Sequence, residues 1–381
     1  MLVSRVAMNK KQIYHLLSLI LSLHVKADRI DTVITNLPKE KSDWEKWVRV
    51  GSDNLVLQSL YVTLRDNRLL SYLPIDLSQY LSQIHGMNVE RNTSIINQAK
   101  YVQALLDGSG IRCVFMKGVG NILDGLYHDM GERMLYDMDI LIDGERMLEA
   151  AQILMDSGFK THKVFNPLAY PSTMHFPVLI REDFMAGVEL HRLPVQYHYI
   201  KSFPGEKVFE TKKESPTHAG FWVMSDTNKI IHNFIHSQLM HNAHYHADVS
   251  LRNLYDMLLL NQREDAFKAL GHFKHFERKS MAYLKLMYRV FDLPLPEKLT
   301  RSRSLLIKRH DRILSMSHRQ LVFHHFIINS LIKYVVLPFR TLFDKNARNY
   351  VFARLGNRHW YREHFNAYKR KFGKRREGRK L

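Results

Sequence analysis

Four charged positions stand out in the mostly apolar segment MKGVGNILDGLYHDMGERMLYDMDILI, residues 116–142: Lys117, Arg133, Asp137 and Asp139. The two aspartates lie two residues apart in YDMDILI, whose apolar content is typical of a buried strand. Alternate side chains of a strand share a face, so we expect both carboxylates on one face. Neighbouring carboxylates repel each other unless a cation lies between them. A divalent ion such as Mg²⁺ fits, because it prefers oxygen ligands and supports phosphoryl or nucleotidyl transfer.

A third carboxylate is available in the segment GVELHRL. The strand alternation predicts that Glu189 and His191 share one face while the apolar residues share the other. Glu189 is therefore a candidate for a third metal ligand, and His191 either assists the site or fills a polar pocket. Lys117 and Gly118, at the end of the preceding strand, suit close approach to phosphate. Arg133 suits a bidentate contact with a phosphate oxygen pair.

The elements that must position these residues form a small α/β unit. Between residues 110 and 195 the pattern predicts strand IRCVFMKG, a short helix or turn, strand YDMDILID, helix ERMLEAAQILMDSGF and the hairpin HFPVLIREDFMAGVELHRL. Helical periodicity dominates before residue 107 and again from Thr227 onward. Pro294 and Pro296 mark a boundary near residue 300.

Composition restricts the class of protein. The chain has 381 residues, 45% of them hydrophobic, which indicates a folded globular protein. Cys113 is its one cysteine, so no internal disulfide is expected and a reducing compartment is favoured. The apolar run IYHLLSLILSLHV near the N-terminus is too short to span a bilayer and lacks a small-residue cleavage site. We expect it to be a core-facing helix.

The positive charge is concentrated in the last part of the chain. Residues 301–381 contain 21 Lys and Arg against 4 Asp and Glu, out of a formal net charge of +19 for the whole protein. Such a segment predicts RNA, an anionic membrane surface or another polyanion as a partner, or a solvated tail without one. The apolar run LVFHHFIINSLIKYVVLPFRTLF within it suits either a core helix or a peripheral membrane helix.

Histidines and one charged pair follow the core. His232 and His236 have the i, i+4 spacing of a zinc site, but no cysteine or ordered carboxylate set completes it. We therefore expect packing or substrate-pocket histidines. Arg252 and Asp256, also at i, i+4, most simply form an ion pair on one helix face.

Together, the pattern KG…R…DMDILI…VELH resembles the nucleotidyltransferase superfamily of the DNA polymerase β type. In particular it resembles a bacterial family described as uncharacterised nucleotidyltransferases, and the arrangement is similar to that of aminoglycoside nucleotidyltransferases. The resemblance runs from about Asn92 to about Leu260. The superfamily's more usual glycine-serine pair is replaced here by Lys117-Gly118.

The resemblance implies an α+β fold with a polymerase-β-like core, a small mixed sheet with helices, flanked by helical regions. The expected divisions are residues 1–90 (helical), 91–200 (nucleotidyltransferase core), 201–300 (helical, completing the cleft) and 301–381 (basic helical extension). The site residues that the resemblance implies fall into three groups: metal-binding and catalytic Asp137, Asp139 and Glu189; nucleotide- and phosphate-binding Lys117, Gly118 and Arg133; and cleft residues His191, His236, Arg252 and Asp256.

The implied activity is transfer of a nucleoside monophosphate from a nucleoside triphosphate such as ATP, with Mg²⁺ or Mn²⁺, to an acceptor hydroxyl. The acceptor expected is a sugar-like or other small molecule, or a component of a polysaccharide pathway. Two alternatives remain open: a transferase that acts on RNA through the basic tail, and an inactive binding protein of the same fold. The expected location is the cytoplasm, either free or peripheral at the inner membrane.

Overall fold

The computed structural model describes residues 7–161, 173–271, 273–300 and 304–343, together with scattered positions between 348 and 366. The chain forms two compact units, Met1–Ser317 and His318–Leu381. The predicted divisions of the chain, including the boundary near residue 300, stay predictions. Most of the basic tail after residue 343 lies outside the described residues, so the predictions made for it stay predictions.

Helices make up most of the first unit. In chain order they are α1 Lys10–Ser22, α2 Ile30–Asn36, α3 Lys41–Asp53, α4 Leu57–Asp66, α5 Ile75–Gly108, α6 Lys117–Leu123, α7 Met147–Asp156, α8 Gly205–Glu210, α9 Asp226–Phe234, α10 Ala243–His246, α11 Leu251–Arg263, α12 Ala266–Gly271, α13 Glu277–Val290, α14 Glu297–Thr300 and α15 Leu305–Leu314. A π-helical segment, Ile235–Met240, extends α9.

The N-terminal apolar run forms α1, and the prediction of a core-facing helix is confirmed. The side chain of Asn9 caps the helix by accepting a hydrogen bond from the backbone N–H of Gln12. The side-chain Oε1 of Gln12 in turn accepts a hydrogen bond from the backbone N–H of Asn9. Its apolar side chains, spaced three and four residues apart, are buried against α3 and α4.

Five strands form one mixed sheet in the order β3-β2-β1-β5-β4. The strands are β1 Cys113–Phe115, β2 Asp137–Ile142, β3 Gly187–His191, β4 Lys213–Glu214 and β5 Trp222–Val223. β2 pairs antiparallel with β1 and parallel with β3, and the connection from β2 to β3 passes through α7. The fold is therefore α+β, a small mixed sheet flanked by helices, as the sequence predicted.

The predicted hairpin before residue 193 is present as backbone pairing on the far side of β3. Leu179 and Val188 exchange both backbone hydrogen bonds, at 3.0 and 2.8 Å. β3 is thus paired on both edges, with β2 on one side and this segment on the other, which fixes the direction of its side chains.

The second unit begins with a helix from His318 to Leu331 that continues through a π-helical turn, Ile332–Val336, into Leu337–Thr341. We name its two α-helical parts α16 and α17. The stretch His318–Phe339 is long and apolar enough, by length and composition alone, to cross a membrane, and none of it is buried within the described residues.

Candidate functional site

The parallel register of β2 and β3 brings the predicted carboxylates together. Asp139 lies directly opposite Glu189, and Asp137 lies opposite Gly187. Asp139 is buried at 1% exposure, Glu189 is half-buried and Asp137 is exposed. The alternation of polar and apolar residues along each strand therefore places Asp139 and Glu189 on one face of the sheet.

His191 links the two carboxylates that lie on neighbouring strands. Its Nε2 is 2.8 Å from Asp139 Oδ1 and 3.3 Å from Glu189 Oε2, and its side chain is fully buried. Burial alone would lower the pKa of His191, but the two carboxylates outweigh it and raise the pKa. The hydrogen bond from His191 to Glu189 lowers the pKa of Glu189. The imidazole therefore holds both carboxylates in fixed orientations.

Lys117 supplies a positive charge to the same carboxylate. Its Nζ is 2.6 Å from Asp139 Oδ1. Burial alone would raise the pKa of Asp139, but Lys117 and His191 hold it well below its usual range. Asp137 forms no ion pair among the described residues; although its side chain is partly exposed, desolvation beside the cavity and the charge of Asp139 raise its pKa.

The start of α6 aims Lys117 at the sheet. Lys117 has a positive φ of 49°, uncommon for a residue other than glycine. The turn also needs Gly120, because a Cβ there would collide with the backbone carbonyl of Phe115. The KG motif is thus the first turn of a helix packed directly against β1.

The residues present fit a divalent metal ion. One donor atom from each of Asp139, Glu189 and His191 lies within 4.8 Å of the other two. Carboxylate oxygens are the ligands that Mg²⁺ and Mn²⁺ prefer. The ammonium of Lys117 lies beside Asp139, which shows that this position accommodates a positive charge. Asp137, the remaining predicted ligand, lies two residues along the same strand.

Arg133 is held by a carboxylate far away in sequence. Its Nη2 is 3.0 Å from Asp256 Oδ2, and Tyr127 donates to Asp256 Oδ1 at 2.7 Å. Arg133 is buried, and its role as a phosphate ligand stays a prediction. The predicted ion pair between Arg252 and Asp256 is wrong: no ion pair of Arg252 occurs among the described residues, since Asp256 turns to Arg133. A buried, charge-assisted pair outweighs an exposed i, i+4 contact.

Two asparagines of α5 hold the loop that carries Arg133, a contact that no pattern in the sequence indicates. Asn88 donates to the carbonyl of Gly131, and Asn92 donates to those of Met130 and Arg133, each at 2.7 Å. Both asparagines are buried in the middle of the long helix α5. The loop is thus positioned from the N-terminal helical region.

A cavity of about 430 Å³ opens beside the carboxylates. Eight of the ten predicted site residues line it: Lys117, Gly118, Arg133, Asp137, Glu189, His236, Arg252 and Asp256. Asp139 and His191 lie beneath this surface, in contact with Lys117 and Glu189.

The wall formed by α9 and the following π-helical segment carries histidines. His232 is buried with Nε2 3.0 Å from the carbonyl oxygen of Pro194, and burial lowers its pKa to about 3. His236 and His241 face each other, with their Nε2 atoms 3.2 Å apart. Burial and the charge of Lys117 lower the pKa of both. These are neutral histidines of the cavity wall, as expected for packing or pocket residues.

Sequence reasoning also missed a buried ionic cluster below the cavity. Asp124, fully buried, accepts from Lys229, from Lys213 at 3.0 Å and from Arg263 at 2.8 Å. Lys229 also lines the cavity, and its charge is already committed to Asp124. The sequence feature that indicates this cluster is Asp124 itself, a charged residue at an otherwise apolar helix end.

Glu132, next to Arg133, is another buried carboxyl group. It is 1% exposed, accepts a 2.5 Å hydrogen bond from Tyr255 and has His24 Nε2 3.6 Å away. Burial raises the pKa of Glu132 to about 7 and lowers that of His24 to about 4. Both groups are therefore neutral in the folded protein at mildly acidic pH.

We predict that Glu132→Gln makes the protein more stable at pH 8 while changing little at pH 5. A raised carboxyl pKa contributes stability that is present below the unfolded value, about 4.5, and is lost as the pH rises through about 7. The gain at pH 8 is expected to be about 2–3 kcal/mol at most. Urea unfolding from pH 5 to 8 measures it.

His24 changes the stability with pH in the opposite direction. Because its pKa is lowered in the folded protein, stability is lost as the pH falls from 6.5 towards 4. The informative comparison is therefore the difference between the variant and the unmodified protein at each pH. Glu145→Gln, on an exposed carboxyl group, is the control. An equal difference at pH 5 and pH 8 would contradict the assignment.

The fold and the site together define the class of protein: a nucleotidyltransferase core, built on a small mixed sheet whose adjacent strands present acidic residues beside a cavity. The chain belongs to the family described as uncharacterised nucleotidyltransferases, whose model matches residues 40–277. The match begins well before Asn92, the residue from which the sequence motifs predict the resemblance. The asparagines of α5 explain part of this, because helices before the sheet hold the Arg133 loop.

Comparison with curated proteins gave no match, and comparison with solved structures gave none either.

Proposed function

We propose that the protein transfers a nucleoside monophosphate from a nucleoside triphosphate, such as ATP, to the hydroxyl of a sugar-like or other small-molecule acceptor, or to a polysaccharide-pathway component. The observation that carries the proposal is the in-register pairing of Asp139 with Glu189 beside the cavity, with Lys117 on Asp139. Membership of the nucleotidyltransferase family supports the general reaction.

The chain's own residues would act by positioning and charge. The acceptor oxygen attacks the α-phosphorus, a new P–O bond forms, and the bond from the α-phosphorus to the bridging oxygen breaks to release pyrophosphate. Glu189, half-buried beside the cavity, would take the acceptor's proton or bind metal. A divalent ion held by Asp137, Asp139 and Glu189 would neutralise charge on the phosphates. Lys117 would contact phosphate as a point charge.

The first test is calorimetric titration of each nucleoside triphosphate into the protein, with Mg²⁺, with Mn²⁺ and with EDTA. Binding that requires the metal supports a working site and justifies a screen of hydroxyl acceptors. A folded protein that binds no nucleotide under any of these conditions would favour the alternative of an inactive binding protein.

We further propose that the protein works in the cytoplasm and that its C-terminal segment, residues 301–381, attaches it to an anionic membrane surface. Two features support this proposal. The helix His318–Phe339 is apolar, and residues 301–381 contain 21 basic residues against 4 acidic ones. Lys333 lies well inside the apolar stretch, and a charge at that depth disfavours spanning the bilayer. A helix lying at the interface lets the basic residues meet anionic headgroups.

Cosedimentation with phosphatidylglycerol vesicles tests this, with phosphatidylcholine vesicles alongside. Val335→Asp should reduce binding, while Leu148→Asp, on an exposed apolar residue of α7, should not. Binding to an RNA oligonucleotide but to neither vesicle would overturn the membrane proposal and favour the RNA-directed alternative.

A further inference from the structure

Among the residues that the structure describes, four positively charged side chains line the cavity, and three of them already have carboxylate partners. Lys117 pairs with Asp139, Arg133 with Asp256, and Lys229 with Asp124. The fourth is Arg252. Within the part of the chain that the structure describes, it forms no ion pair, and its Nε is shielded from solvent without a hydrogen-bond partner.

The surroundings of Arg252 compensate its charge only in part. Burial and the positive charge of Arg133 both lower its pKa, and the opposing effect of Asp256 is smaller. A guanidinium nevertheless remains charged at any physiological pH. A half-buried charge without a counter-ion is unfavourable, so this position is stabilised when an anion enters the cavity.

The location of Arg252 indicates which anion it meets. It is the second residue of α11, and it lines the cavity together with its neighbour Asn253. Asp137 and Glu189, two of the proposed metal ligands, line the same cavity. A metal ion held by the carboxylates would bind the reacting α-phosphate, and Arg252 in the same cavity would be available to the rest of the triphosphate.

Resting on the proposed function, we infer that Arg252 is a positioning residue that binds the β- or γ-phosphate of the nucleotide, the part that leaves as pyrophosphate. Its planar guanidinium can donate two hydrogen bonds to one phosphate group, which lysine cannot. Arg133, which the sequence pattern favoured for this task, is held by Asp256 instead.

Inorganic pyrophosphate is the direct probe, because it carries the phosphate chemistry without base or sugar. Titration of pyrophosphate, a nucleoside triphosphate and the matching monophosphate into Arg252→Gln should show affinities for the first two lowered about 10- to 100-fold. The monophosphate should lose little. Arg252→Lys should fall between Arg252→Gln and the unmodified protein, since charge remains but the paired donors do not.

Thermal stability separates binding from a structural role. Arg252→Gln removes an unpaired charge, so its Tm should be unchanged or higher, whereas a structural arginine would lower it. Arg289→Gln, on an exposed arginine of α13 outside the cavity, is the matched control and should bind all three ligands normally. Unchanged pyrophosphate and triphosphate affinities in Arg252→Gln, or equal losses for all three ligands with a lower Tm, would overturn the inference.

The failure of this inference can be told apart from failure of the proposed function. Pyrophosphate binding that depends on Arg252 in a protein that transfers no nucleotide would support the anion site and count against the transferase. Metal-dependent nucleotide binding that is lost in Asp139→Asn but intact in Arg252→Gln would support the transferase and overturn the role of Arg252.

Discussion

Asp137→Asn and Asp139→Asn are both expected to lower pyrophosphate release from a nucleoside triphosphate by at least about 10²–10³-fold. Their effects on stability should differ. Asp139 is buried against Lys117 and His191, so its replacement leaves an ammonium without its nearest counter-ion and costs about 3 kcal/mol. Asp137 is exposed and repelled by Asp139, so its replacement should leave Tm unchanged or raise it.

If Asp137 lowers the stability of the protein but is needed for turnover, its role is functional and not structural. The measurements are Tm by thermal unfolding and pyrophosphate release, or metal-dependent nucleotide binding while the acceptor is unidentified. Asp143→Asn is the control, since Asp143 follows β2 directly and an asparagine retains its cap to Glu145. Folded Asp137→Asn or Asp139→Asn protein with more than a tenth of normal turnover would refute the site.

The second large effect concerns stability rather than turnover. Asp256→Asn should destabilise the first unit by about 3–5 kcal/mol, because Arg133 is buried and would keep its charge without the carboxylate. Urea unfolding measures the change. The double variant Arg133→Met/Asp256→Leu should recover much of the loss, since it removes both charges and fills the space with apolar groups.

The control for this prediction is the ion pair of Arg146 with Glu149 on the surface of α7. Glu149→Gln should change the free energy of unfolding by only a small fraction of the Asp256→Asn effect, because solvent screens an exposed pair. Equal effects at the two sites, or a double variant no more stable than either single one, would show that Arg133 and Asp256 do not act as a buried pair.

Local alternation made the sheet and its acidic face predictable. In YDMDILI and GVELH the side-chain period of two fixes which residues share a face, whatever the rest of the chain does. Asp139 lies opposite Glu189 because β2 and β3 pair in parallel with that register. The register itself is known only from the structure. The order of the motifs then sufficed to indicate the family.

Partners far apart in sequence were not predictable. The i, i+4 rule joined Arg252 to Asp256, but Asp256 is bound by Arg133 and Tyr127, 123 and 129 residues away. Helical spacing predicts only contacts within one helix, which are worth a few tenths of a kcal/mol and yield to buried tertiary contacts. The positive φ of Lys117 left no mark in the sequence either, because that backbone conformation is most often taken by glycine.

The Arg133–Asp256 pair also bears on how the protein folds. It joins the ends of a 123-residue stretch, and the entropy lost in closing so long a loop is regained only when the intervening chain has condensed. Contacts of such high sequence separation slow folding. The cavity is lined by residues from Lys117 to Leu260, and a fragment restricted to residues 91–200 would have Arg133 without Asp256 and the Arg133 loop without Asn88.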